Sequence, residues 1–267
     1  MKRFLKSIPF MILLIAASTY MGFMLQRVYF KGASLFDLSY ANIYLALWGL
    51  LAMALILMTA SLVAVLVRPF WLAIISYLLS GGALFLMWGK PGYMTAFASI
   101  AYVVVLMIFD KEVSVDLRER IRFSIQPFHD RKTVLVIFLV IMLCLSFYFG
   151  YIEITRNEGF KLPGLVTLIA IRAAEGMVGE EQGLEGEERL KAEINSRIET
   201  GLQRAGRIYL LVVLMLTVII FTIMEMLVSL LFWIPILILS LIFLILAKLK
   251  VTKKVEEMKE VSKIALG

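Results

Sequence analysis

Apolar residues run in long blocks along this chain, separated by short polar breaks. Blocks over about 8–25, 41–67, 70–88, 93–109 and 134–152 each suit one helix through the ~30 Å hydrocarbon layer of a bilayer, at ~1.5 Å of rise per residue. A further block, 208–247, would reach ~60 Å as one straight helix, so it must fold back or project far out of the membrane. Cutting it near 226–234 gives two crossings. Trp233 then lies at an interface, and Pro235 falls in the first turn of the last helix, where its missing N–H costs nothing. The expected fold is all-α: a polytopic transmembrane helical bundle of about seven spans.

The breaks divide the chain into a five-span membrane domain (1–152), an extramembrane helical insertion (153–207), a C-terminal transmembrane hairpin (208–247) and a charged tail (248–267). Arg68-Pro69 and Gly89-Lys90-Pro91-Gly92 are turns by composition. Helix 4 is expected to end at Asp110. The basic inner loop 110–133 alternates like a strand from Val113 to Ile125, yet Val113, Leu117, Ile121, Ile125 and Phe128 also recur at helical spacing. A lone strand there has no ladder partner, so a helix lying in the interface is favoured.

Within the insertion, the stretch after Leu162-Pro163-Gly164 is too short and too charged for a comfortable span and reads as interfacial or re-entrant. A Gly- and Glu-rich connector follows over 179–188. Leu190, Ile194, Ile198 and Leu202 then fall on one helical face. That face is read as an interaction surface within 187–209. It covers either the 163–178 helix of the same chain or a second copy or other membrane protein.

Composition decides the solvent. The chain is 61% hydrophobic with a mean hydropathy of +0.92, against roughly 45–50% apolar residues in soluble domains. Lipid must therefore cover it. The formal charge of +7 would raise nucleic acid as a partner for a soluble protein. Here the bases sit at span ends, where the bilayer and its anionic headgroups take them up, and no nucleic acid partner is expected. Arg118, Arg120 and Arg122 are the foremost of these interfacial bases.

Lys2, Arg3, Lys6, Arg68 and the bases of 110–133 outnumber Arg27, Lys31 and Lys90 in the alternate loops. That asymmetry puts the N-terminus in the cytoplasm, 153–207 outside, and the chain in the plasma membrane. Seven spans would leave the lysine-rich tail outside, against the same rule. The first apolar block resembles a signal peptide, but it continues to Leu25 and is read as an uncleaved helix.

Candidate chemistry is sparse. The one Cys, Cys144, and the one His, His129, give no disulfide and no metal set, and no cofactor is expected. His129-Asp130 reads as a solvated pair. Ser80-Gly81-Gly82 reads as a close-packing notch in helix 3 rather than a broken helix lining a path. Small pairs Ser18/Gly22 and Ala60/Ala64 mark close helix approach. Glu225 is the one carboxylate well inside an apolar block. Placed in the last turn of helix 6, it is disfavoured by the helix dipole and is expected to pair with an arginine of 110–133.

Three function classes follow. A non-enzymatic structural, assembly or accessory membrane component needs no site and leads. A small-solute transporter or channel would have to use Glu225, the glycine pair and scattered hydroxyls. A membrane-embedded enzyme is disfavoured, because Ser80 has no base at membrane depth.

Overall fold

A computed structural model describes residues 2–31, 40–67, 70–88, 92–119, 126–158 and 208–248. These form seven helices: α1 (Lys2–Lys31), α2 (Tyr40–Leu66), α3 (Phe70–Met87), α4 (Tyr93–Glu119), α5 (Gln126–Glu158), α6 (Ile208–Leu231) and α7 (Trp233–Lys248). The fold is all-α. Six segments are long and apolar enough to cross a membrane, because Leu211–Ile245 counts as one apolar stretch across α6 and α7. The interaction face Leu190, Ile194, Ile198 and Leu202, Arg120 and Arg122 lie outside the described residues, as does the side chain of Arg118.

Side chains with no polar surroundings to meet point outward over most of the bundle. Leu86 is 76% exposed, Met226 75% and Phe97 72%. Such residues hold an open face only where hydrocarbon replaces water, which is what a multi-pass membrane bundle requires. The interior is close-packed. In an 18-residue apolar window of α2, 72% of residues are buried, against 28% in such a window of the α6–α7 stretch, so α2 is central and the C-terminal helices are peripheral.

Helix α1 packs on α3, α2 and α5, and α4 packs on α5, α3 and α2. The closest approaches are made where a side chain is missing. A Cβ on Gly22 would stand 2.8 Å from the carbonyl oxygen of Leu84, and one on Gly150 would overlap the backbone of Tyr29. So α3 and α5 each touch α1 almost backbone to backbone, the device small residues provide in membranes. Ala60 and Ala64 are likewise buried on α2.

The helices outrun the apolar blocks. Helix α4 does not stop at Asp110 but continues to Glu119, and α5 begins at Gln126. The described parts of 110–133 are thus helical, but as extensions of two spans rather than as a separate interfacial helix. Val113 is fully buried and Leu117 packs against the core, which gives the extension of α4 a reason to persist. Arg131 ties the two extensions together, with its Nε 2.9 Å from Asp116 Oδ2 and its Nη1 3.8 Å from Glu112.

The end of the chain differs from a packed hairpin. One residue, Phe232, separates α6 from α7, and its N–H still donates to Val228 O at 2.9 Å, as in an unbroken helix. Helix α6 lies on α5, whereas α7 lies on α2. Among the described side chains of α7 the buried positions are Pro235, Leu239 and Phe243, one narrow stripe at helical spacing. The pair therefore makes an open joint across α2 and α5, with buried Phe232 as its corner.

Candidate functional site

Polar side chains at membrane depth are the place to look for function, since each must find a partner or serve a purpose. Three helices bring such groups together. Ser80 lies near the middle of α3, Ser18 near the middle of the apolar stretch of α1, and Tyr102 on α4, all fully buried. Ser18 Oγ donates to Ser80 Oγ at 3.0 Å and stands 2.8 Å from Tyr102 Oη. A serine hydroxyl has one proton, and that of Ser18 is committed to Ser80. Tyr102 must then donate to Ser18. The result is a short directed chain, Tyr102 to Ser18 to Ser80, that ties α4 to α1 to α3.

Two more hydroxyls border it. Ser76 sits one turn before Ser80 on α3, and Ser99 lies on α4 beside Tyr102. Their Oγ atoms are buried and have no hydrogen-bond partner among the described residues. The Ser80-Gly81-Gly82 stretch leaves α3 unbroken. A Cβ on Gly81 would overlap Val103 and stand 3.3 Å from Ser99 O, so Gly81 is a contact notch for α4. Gly82, one residue on, faces open space.

A second polar link lies toward the α3–α4 turn. Trp88 Nε1 donates to Ser146 Oγ at 3.1 Å, and Ser146 Oγ donates to Leu25 O at 2.6 Å. Beyond it, the hydroxyl of Tyr29 donates to Glu153. These contacts join the end of α3, the middle of α5 and the end of α1. Chain reading did not find them, because each joins residues far apart in sequence and none carries a local signal.

Glu225 is exposed and lines a pocket of about 170 Å³ between α5 and α6. Lys132, Thr133, Ser229 and Phe232 share it. Among the described residues the cation lining this pocket is Lys132 of α5, and Arg131 bonds to Asp116 and Glu112. No ion pair within 4.0 Å joins Glu225 to a described residue, so the expected pairing with an arginine of 110–133 is not made among them.

Asp110 is the carboxylate that span reading missed. It is 2% exposed, and Ser114 Oγ donates to its Oδ1 at 3.2 Å. The apolar block ends there, but α4 continues past it to Glu119. The apolar residues Val113 and Leu117 beyond it were the available sign that the helix goes on.

Among the described residues no three His, Cys, Asp or Glu side chains gather at one place. Comparison with known proteins finds no match: no family model, no curated protein and no solved structure is detectably similar to this chain.

Proposed function

We infer that this chain is a non-enzymatic structural, assembly or accessory component of the plasma membrane, with its N-terminus in the cytoplasm. The observation that carries this reading is how the buried hydroxyls are used. Ser18, Ser80 and Tyr102 bond to one another, and Ser146 bonds to Trp88 and Leu25. Buried Thr59 and Ser61 each donate back to the carbonyl four residues earlier in α2, as the half-buried Thr217 and the exposed Thr222 do in α6. Hydroxyls bonded across helices hold them in register, and hydroxyls bonded to their own backbone are not free to line a path. Ser80 Oγ accepts a hydrogen bond from Ser18, and among the described residues no base accepts one from Ser80 to activate it.

The partner surface proposed for this role is the 187–209 face, with a second copy or another membrane protein upon it. Ile194→Asp with Ile198→Asp should shift the chain to a smaller assembly on native electrophoresis of solubilised membranes. An unchanged assembly would remove this face from the account.

A transporter is the second reading, and the unpartnered Ser76 and Ser99 hydroxyls favour it. Proteoliposomes carrying the purified chain decide between the two. The accessory reading expects ion and small-solute fluxes equal to those of protein-free vesicles. A saturable flux that Tyr102→Phe abolishes would establish the carrier instead.

A further inference from the structure

Between α4 and α5 an apolar groove of about 720 Å³ opens on the membrane-facing side, within the ~300–1,000 Å³ range of ligand pockets. Its floor is made by small or buried residues, among them Ala98, Ala101, Met142 and Ser146. Its rims are large and exposed, with Phe97 72% open on α4 and Ile141 39% open on α5. The gap therefore has a cause in sequence: alanines stand where the flanking turns carry Met94 and Phe97.

Length and charge identify an occupant. Along α5 the groove runs from Phe138 to Phe149. That is ~17 Å at 1.5 Å per residue, close to the ~15 Å hydrocarbon depth of one leaflet. Its mouth lies where α4 begins, at Gly92 and Tyr93, which is headgroup level for a span. Arg156 follows Phe149 by two turns and so lies on the same face of α5, ~10 Å beyond the groove's mouth.

Arg156 is exposed and makes no ion pair with any described residue. The acid beside it, Glu153, already accepts from Tyr29, whose side chain also lines the groove. We propose that this groove is a binding site for one phospholipid with an anionic headgroup. One acyl chain lies along Ala98 and Ala101, and the phosphate meets Arg156. The assignment holds whether the chain is an accessory component or a carrier.

Trp88 reports on the site, because it lines the groove. The other tryptophans, Trp48, Trp71 and Trp233, are each about half exposed and should accept phenylalanine. The single-Trp88 protein is placed in phosphatidylcholine vesicles doped with chain-brominated phosphatidylglycerol or, separately, chain-brominated phosphatidylcholine at equal mole fraction. The anionic lipid should quench Trp88 with about fivefold higher apparent affinity, the effect of one basic residue near the surface. Arg156→Gln should remove that preference, and Ala101→Phe should weaken quenching by both lipids.

If Ala101→Phe fails to fold, Ala101→Leu and the exposed Arg156→Gln carry the test. Equal quenching by the two lipids would overturn the site, as ordinary surrounding lipid explains it. Quenching that survives both groove-filling variants would place the chain elsewhere. Quenching by neither lipid would mean that protein fills the groove. Each of these outcomes refutes the proposal.

Discussion

At the scale of single residues, neighbouring glycines give opposite expectations. Gly81 and Gly82 are adjacent on α3, yet a methyl group on the first would overlap Val103 and one on the second meets nothing within 4 Å. Gly81→Ala should destabilise the protein by about 1–3 kcal/mol, the usual cost of overpacking. Gly82→Ala should be neutral or stabilising by up to about 1 kcal/mol, because alanine favours a helix more than glycine does. Unfolding in graded detergent mixtures measures both, and equal effects would contradict the notch. The hydroxyl chain gives a second expectation. A double-mutant cycle between Ser18→Ala and Tyr102→Phe should show a coupling of about 0.6–1.7 kcal/mol, the range of interhelical hydrogen bonds in membranes. Strict additivity would mean that the 2.8 Å contact contributes nothing. The Ser18/Gly22 pair was legible as a close-approach motif, because small residues four apart lie on one helical face. The partners Ser80, Tyr102 and Leu84 were not, because no local pattern says which helix arrives there.

At the scale of elements, hydropathy reports where lipid ends and not where a helix ends. That is why the cores of α1 to α5 were legible while α1, α4 and α5 proved longer than their apolar blocks. The polar extensions keep helical geometry through buried Val113 and the Arg131 link to Asp116. That link is exposed, with Arg131 44% open, so Arg131→Ala should cost no more than about 1 kcal/mol. The C-terminal block was legible as two helices, with the break near Trp233 and Pro235. Its packing was not, because a hairpin and an open joint share one hydropathy profile. The joint makes a testable difference in a Cys144→Ala background. Thr133→Cys with Ser229→Cys, which line one pocket on α5 and α6, should cross-link with a short bismaleimide. Phe221→Cys with Phe243→Cys, on α6 and α7, should not. The reverse result would restore the packed hairpin.

At the scale of the whole molecule, the bundle places apolar side chains outward and ties α1, α3, α4 and α5 together through Ser18, Ser80, Tyr102 and Ser146. Glu225 illustrates how far chain reading reached. Span length and charge place it in the last turn of α6 beside an arginine, but α6 runs on to Leu231 and the Phe232 N–H still donates to Val228 O, so Glu225 does not sit at a helix end. That Lys132 lines the same pocket as Glu225 required the packing of α5 on α6. The central claim is that the mid-membrane hydroxyl cluster is a dry helix tie and not part of a water-filled path. Cysteine accessibility at residue 80 tests it most directly. Ser80→Cys in the Cys144→Ala background, in sealed vesicles, is exposed to a charged, membrane-impermeant methanethiosulfonate from each side in turn. The account predicts no modification from either side while the protein stays folded. Rapid labelling from one or both sides would contradict it and make the cluster part of a solute pathway.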